Sequence, residues 1–554
     1  MMPSSLPFDA EAIVRGQFKN ALVPVVSIEL RRYPEETIVI VNVAEDDVAV
    51  ATKVANAADR ELHANGFDGF VTVRRADSAS RSVAPLEKGV VDFKATELAN
   101  LLTARSRTSE IQPSLSYIRD AAQNIVTAMT PRHHLIFGRR GAGKTALMVE
   151  AKRQIELSGN LSAWINLQTL RNESPQRVFL WVVRNICDTL QAAYRERSRP
   201  DHFSADVTSL RHEVDNYLGH RGEGVALGVA PIVPKLQDVI SNGTTALGVR
   251  LFVFLDDLQY VSRDAQPLLL DLVHGAVRDS DAWLKVSAIK HLSRWFSPNP
   301  PLGLQTGHDA GHIDLDVTLE NPSKAKAFLE TVLKSYARHV GIGSLGNVFS
   351  SEALDRLVLA SGAVPRDYLV LSAGAISQAQ RRAKSRTVGV QDVNKSAGEA
   401  ASVKITELED DVASAGVASQ QIVDGLQRVR EFCLNDRKCT YFRVDFQDKE
   451  SNTSEYAILQ NLMDLRLMHL VNSGVSDERE AGRKSEVFML DLSQFSGERL
   501  KKNLRVLDFV AGFLVVKEAT KATKVGSTPK QLLGLLRRGP LLTLATLTNV
   551  AVEA

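Results

Sequence analysis

Cysteine is nearly missing from this chain: 554 residues hold three, Cys187, Cys433 and Cys439. An odd and sparse set makes no disulfide framework, and no Cys/His spacing matches a zinc site, so three free thiols in a reducing compartment are expected. Excess charge is lacking too. Lys and Arg number 67 against 65 Asp and Glu, a formal net charge of +2, so no bulk attraction to nucleic acid operates and any basic surface has to be local. No run reaches the roughly 18 apolar residues of a membrane span. "VLDFVAGFLVV" is too short and carries Asp508. The opening "MMPSSLPFDAEAIVRGQF" has no basic stretch ahead of an apolar core, so no signal peptide is expected and the reading is cytoplasmic. Internal repeats are absent. What is present is ordinary for soluble globular proteins, 44% hydrophobic and 24% charged residues. The length exceeds what one core serves and implies three or four domains.

Near the start, "ETIVIVNV" reads as a buried strand, "EDDVAVATKVANAADRELHANG" as a helix capped at Gly66, and "FDGFVTVRR" as a second strand. This makes a small β-α-β interaction or sensing module over 1–78, followed by a polar linker over 79–104. A helix entered through Ser114 or Ser116, the strand "HHLIFG", and the helix "GKTALMVEAKRQIEL" open a third unit, 105–320. Further strands are "LFVFL", from Leu251 to Leu255, and "AWLKVSAIKH", ending near Ile289. About a hundred residues lie between these core strands, and their glycine-containing part reads as an inserted loop or helix pair. Residues 321–402 read as successive capped helices, a helical lid. Over 415–500 the helix "SEYAILQNLMDLRLMHLV", with Tyr456, Leu459, Leu462 and Leu465 or Leu467 on one face, precedes a charged tip and a return strand "VFMLDLS". That is the outline of a winged helix. A basic and apolar tail, 501–554, ends the chain.

The chemistry gathers at "GRRGAGKT", Gly138, Arg139, Arg140, Gly141, Ala142, Gly143, Lys144 and Thr145, with Ala146 behind it. Strand, glycine loop and helix in that order is the context of a phosphate-binding loop, whose backbone N–H groups line an anion nest at the helix start. Lys144 is assigned to the β- and γ-phosphates of ATP and Thr145 to Mg²⁺. The apolar strand that runs into Asp256 and Asp257 supplies the opposite wall. Asp256 would hold the metal through water and Asp257 would orient or deprotonate the attacking water. Lys290, with His291 beside it, stands where a polar group would sense the γ-phosphate. Arg366, after Pro365 at the start of a lid helix, is placed to fold onto the nucleotide. Arg278 and Arg294 are candidates for a finger reaching a neighbouring subunit.

The order "GRRGAGKT", "LFVFLDD", "KVSAIKH" and "SGAVPRDYLVL", followed by a winged helix, resembles AAA+ ATPases of the origin-recognition initiator clade, especially its bacterial relatives. The resemblance spans roughly residues 105–500. It implies an α/β nucleotide domain, a helical lid, and ATP-controlled contact with DNA or partner proteins. It also places "RSRTSEIQPSL" on the adenine side. Three departures stand out. The second acid is Asp, where Glu is commoner in motor-type ATPases, and one methylene less reach argues for slow hydrolysis. The segment between the two motifs is long, and the N-terminal module is additional.

DNA contact is the open question. The recognition helix offers Asn452, Thr453, Ser454, Gln460 and Asn461 but no cation, whereas readers of bases usually add phosphate-gripping cations. Arg479, Arg483 and Lys484 fall in the wing tip. Residues 496–554 carry ten Lys and Arg against four Asp and Glu, a net +6, enough for a salt-dependent, sequence-blind grip on duplex DNA. Three readings follow: a DNA-associated ATP switch with slow turnover, a signal-transducing ATP switch of a bacterial conflict or antiphage system whose winged helix docks protein, and a transposition helper ATPase. An unidentified protein partner for the N-terminal module and an ATP-dependent oligomer belong to these expectations.

Overall fold

The computed structural model describes residues 10–21, 23–32, 37–44, 47–67, 69–75, 89–104, 106, 124–196, 202–219, 228–382, 386–401, 417–477, 482–495, 504–511, 513–518, 521–525 and 529–548. The N-terminal unit comprises α1 (Ala10–Asn20), β1 (Ser27–Arg32), β2 (Thr37–Val43), α2 (Val48–Ala64) and β3 (Gly69–Arg75). β2 and β3 pair in parallel with α2 as crossover, and β1 joins β2 antiparallel. Val39, Val41 and Val43 share a separate core with Val14, Phe18, Ala51, Ala58 and Leu62. The sequence reading lacked α1 and β1, because "SIELRR" is a short, charged edge strand with little apolar alternation.

Residues 79–104, expected as a linker, contain a helix, α3 (Phe93–Ala104). Its buried Ala95, Leu98, Ala99 and Leu102 lie at helical spacing and join the core beneath the lid. Small alanines and polar flanks made that stripe easy to overlook.

The central domain runs α4 (Asn124–Met129), β4 (His133–Phe137), α5 (Lys144–Leu157), β5 (Leu161–Asn166), α6 (Pro175–Glu196), α7 (His202–Gly219), α8 (Ile232–Leu247), β6 (Leu251–Asp256), α9 (Gln266–Val277), β7 (Ala282–Ala288), the hairpin β8 (Phe296–Pro298) and β9 (Pro301–Gly303), and β10 (Ala310–Asp314). Five strands form a parallel sheet in the order β10-β4-β7-β6-β5. Every residue of β4 and β6 is buried, as helices on both faces require, which is why β6 reads as a nearly unbroken apolar run. The long segment between motifs supplies α6, α7 and α8, the last closed by Gly248 at φ 65 in the left-handed cap that glycine favours. Because β7 separates β4 from β6, the C-terminal ends of all three strands stand side by side, where ligands of open α/β sheets bind.

The lid comprises α10 (Pro322–His339), α11 (Ser351–Ala360), α12 (Pro365–Gln380) and α13 (390–401). Ser350 caps α11 by accepting the Ala353 N–H at 3.1 Å, and proline opens both α10 and α12. Next come α14 (Val417–Glu431), β11 (Tyr441–Asp445), α15 (Phe446–Ser451), α16 (Thr453–Asp464), β12 (Met468–Ser476) and β13 (Lys484–Leu490). Their antiparallel sheet, ordered β11-β13-β12, is that of a winged helix. The helix expected to continue through Leu465 and Leu467 stops at Asp464, because Arg466 turns left-handed at φ 60 and β12 starts at Met468. The closely spaced leucines of "LMDLRLMHL" satisfy either periodicity, so sequence could not place the break.

The expected tail is folded in its described part, as the antiparallel β14 (Val506–Val510), β15 (Phe513–Glu518) and β16 (Lys521–Val525), then α17 (Pro529–Arg537). It docks on the lid through buried Arg356 and Asp508, 3.3 Å apart, and through the Ala511 N–H on Asp355 Oδ2 at 2.7 Å. It also extends the winged-helix sheet: the Arg443 N–H donates to Pro540 O and the Leu542 N–H to Arg443 O, both at 2.8 Å. Lid, winged helix and tail share one core. The three cysteines are buried free thiols. Among the described residues no helix is long and apolar enough to cross a membrane. The architecture is a five-stranded parallel α/β core covered by helices on both faces, with a helical lid, a winged-helix domain and an N-terminal α+β module.

Candidate nucleotide site

β4 delivers the chain into the loop 138–143, and α5 begins at Lys144. Gly141 and Gly143 adopt φ of 83° and 103°, a region that strains any side chain. The first backbone bond into α5 runs from the Leu147 N–H to Gly143 O at 2.9 Å. The N–H groups of Gly143, Lys144, Thr145 and Ala146 have no protein acceptor among the described residues. Four donors at the positive end of a helix dipole form an anion nest. A Cβ on Gly143 would meet nothing within 4 Å, so the loop is open on that side. Lys144 is buried and its Nζ donates to Gly138 O at 2.7 Å and Arg139 O at 3.3 Å. Burial pushes its pKa down, opposed by the field of Asp257, Asp316, Asp256 and Asp464.

Asp256 ends β6 almost fully buried, accepting from Thr145 Oγ1 at 3.0 Å through Oδ2 and from Ser287 Oγ at 2.5 Å through Oδ1. Ser287 Oγ in turn accepts the Asp257 N–H at 2.7 Å. One hydroxyl from β7 therefore aligns both acids. Burial first, and then the neighbouring Asp257, push the Asp256 carboxyl up to about 6, against the hydrogen bonds of Ser287 and Thr145. Such a carboxylate beside a threonine hydroxyl is a donor set suited to Mg²⁺, whose charge would reverse the shift. Asp257 is half-buried in a left-handed conformation at φ 65, with Oδ1 accepting from Gln259 Nε2 at 2.7 Å.

The lid lies directly on the loop. The Arg366 N–H reaches Gly141 O at 3.4 Å, and a Cβ on Gly141 would stand 2.9 Å from Arg366 Cβ and 3.0 Å from Val364 Cγ1. Arg139 fastens the same joint. Its N–H donates to Asp316 Oδ1 at 2.8 Å, and its Nη2 to Val317 O at 2.9 Å and Gly362 O at 3.4 Å. Its guanidinium is thus turned to the lid, while Arg140 is exposed. Lys290 is exposed in the turn after β7 and makes no side-chain hydrogen bond among the described residues. His291 Nε2 lies 2.9 Å from Asp464 Oδ2 of the winged helix. Arg278 is exposed at the end of α9. Arg294 lies 3.5 Å from Asp264 and donates to Ser297 Oγ at 3.1 Å.

Sequence reading missed Ser287, Asp316 and Asp464. Only Ser287 left a signal, a hydroxyl inside the buried run "KVSAI". At the winged helix, Thr453 and Ser454 are exposed, but the first turn of α16 carries a tail contact, Thr548 Oγ1 to Glu455 Oε1 at 3.1 Å. The Leu544 N–H also donates to Asp448 Oδ2 at 2.7 Å on the preceding helix. In the wing, Arg483 pairs with Asp445 at 2.5 Å and Lys484 is exposed. Arg479 lies outside the described residues, as does "RSRTSEIQPSL" apart from Ser106.

No family model and no curated protein matches the chain by sequence. Among solved structures it is similar to the Aeropyrum pernix ORC1 protein in complex with DNA, at 16% identity, covering 74% of this chain and 92% of that one, with a TM-score of 0.33. It is similar to Cdc6p from Pyrobaculum aerophilum at 11% identity, covering 66% and 87%, with a TM-score of 0.30. It is also similar to a single-substitution variant of Thermotoga maritima RuvB at 12% identity, covering 53% and 78%, with a TM-score of 0.28.

Proposed function

We propose that the chain is an ATP-dependent molecular switch with slow hydrolysis. The observation that carries this reading is the chain of contacts Thr145–Asp256–Ser287–Asp257 set opposite four open N–H donors and Lys144. Bound MgATP would supply a polarised γ-phosphoryl group and a phosphoanhydride to cleave. The loop donors and Lys144 would hold its phosphates, Thr145 and Asp256 would hold Mg²⁺, and Asp257 would orient water. Lys290 and Arg366 are proposed as sensors, Arg366 because its helix starts on the loop. Slow turnover is supported by the short reach of Asp257 and by the carboxylate oxygen already engaged with Gln259.

For the partner, the docking reading of the winged helix, in which α16 meets protein, is favoured over duplex DNA. Both ends of α16 are engaged within the chain, Glu455 with Thr548 and Asp464 with His291. The wing cation Arg483 is spent on Asp445. Nucleotide titration and phosphate release test the core reading. Lys144→Ala is expected to abolish binding, and Asp257→Ala to keep binding while lowering hydrolysis. Unchanged turnover in Asp257→Ala removes that residue from the mechanism. Random-duplex binding at low salt, with and without ATP, decides the partner, since binding that weakens with salt would restore the DNA reading.

A further inference from the structure

Three segments around the site, the turn after β7, the start of α12 and the turn before it, are fastened to one short stretch of the winged helix, residues 464–473. Asp464 ends α16, is 5% exposed, and brings Oδ2 to 2.9 Å from Nε2 of His291, one residue beyond Lys290. Arg466, turned left-handed, brings Nη1 to 2.9 Å from Asp367 Oδ1, one residue beyond Arg366. The His469 ring packs on Gly362, whose carbonyl receives Arg139 from the phosphate loop. The Ser473 N–H donates to Glu320 Oε1 at 2.5 Å, where the central domain gives way to the lid. Asp464 also belongs to the group of carboxylates whose field reaches Lys144.

We propose that residues 464–473 form a further wall of the nucleotide site, with Asp464 positioning the Lys290–His291 turn and Arg466 positioning Arg366, and that an arriving γ-phosphate loosens this wall. The proposal rests on the ATP reading above. Asp464 is an anion in the field of the lysine that the γ-phosphate also needs. Two anions in a poorly hydrated cleft repel, whereas ADP brings no group to that end. Arg466 works in the other direction, since without it Asp367 loses its cation and the start of α12 loses an anchor. Coupling between sites is reciprocal, so whatever pulls the winged helix away would tighten the triphosphate.

The test uses the full chain. Hydrogen exchange is followed without nucleotide, with Mg·ADP, and with the Mg²⁺ complex of a non-hydrolysable ATP analogue. The analogue is expected to speed exchange across 464–473 and ADP to leave it unchanged. In parallel, Asp464→Asn is expected to tighten the analogue about five-fold or more while moving ADP less than about two-fold. Arg466→Met is expected to weaken the analogue and spare ADP. A purely structural role would shift both nucleotides together. The wall proposal is overturned if the wild type binds both nucleotides, exchange across 464–473 is the same in each, and Asp464→Asn keeps the wild-type preference between them. If the wild type binds neither nucleotide, the ATP reading fails and the proposal falls with it.

Discussion

Gly362→Ala probes the joint between lid and winged helix with a cost that can be worked out. Gly362 has φ 56, so an alanine there carries left-handed strain of about 1–2 kcal/mol. Its neighbour gives the reference: Ala363, at φ 63 and 1% exposed, already lives with that strain. The rest of the cost is steric. The new Cβ would lie 2.0 Å from His469 Nδ1, 2.2 Å from Cε1 and 2.4 Å from Cγ. The ring has nowhere to go, being 1% exposed with Nε2 held 2.7 Å from Asp491 Oδ2. Overpacking of this kind adds about 1–3 kcal/mol, for a total of roughly 2–5 kcal/mol. Urea unfolding, followed on the transition that reports lid and winged helix, gives the loss. A chain with several domains is not two-state as a whole, so that transition is compared by itself. His469→Ala in the same background removes the ring. The double variant is expected to be more stable than the sum of the singles by about 1–3 kcal/mol. A loss of only about 1–2 kcal/mol for Gly362→Ala, additive with His469→Ala, would refute the reasoning.

Lys285 is fully buried on β7, with Nζ on Thr130 O and Arg132 O at 2.8 Å each, and burial lowers its pKa to about 7. The folded state then releases a proton that the unfolded state keeps up to about pH 10.4, so stability rises with pH across that window. About 2 kcal/mol is gained between roughly pH 7 and 9, and Lys285→Met should flatten that part of the stability curve whatever it does to the absolute value. Ser287→Ala removes the hydroxyl that joins Asp256 and Asp257. Phosphate release should fall about 10- to 100-fold with nucleotide affinity nearly kept, and unchanged release would show that the acids align without it. Asp508→Ala strands buried Arg356 and should cost about 3–5 kcal/mol. Lys517→Ala, which removes a half-exposed partner of the same carboxylate, should cost less than about 1 kcal/mol. Equal losses in denaturant would place the joint elsewhere.

The catalytic strands were legible because burial on both faces leaves little choice of residue. β6 is apolar up to Asp256, and β4 is apolar from Leu135 to Phe137, just before Gly138. The phosphate loop was legible for the same reason, since a left-handed turn at a helix start admits glycine and little else. Long-range polar pairs left no such trace. Asp316, Asp464 and Arg466 look like any surface charge until folding brings them to Arg139, His291 and Asp367. α3 was hidden for a related reason: alanines at its buried positions weaken the apolar stripe that would have announced a helix. The fold of the tail was hidden because a net charge gives a sum and no pairing: it does not show that Lys517 is set on Asp508 and Arg356 on the same carboxylate.

That last correction bears on whether the molecule is an engine or a switch. An engine needs a lid that swings at low cost and a surface left free to grip its track. Here the lid is bound to the loop 138–143 by Arg139 on Gly362, to the winged helix by Asp367 and Gly362, and to the tail by Asp355 and Arg356. α16 is engaged at both ends by the same chain. For α16 to meet a partner along its full length, contacts with the central domain and the tail have to open together, so partner access and lid position form one cooperative transition. Elements packed this way move between discrete arrangements rather than by small steps. On the switch reading proposed above, a nucleotide that biases such a transition would set a state, and slow hydrolysis at Asp257 would let that state last.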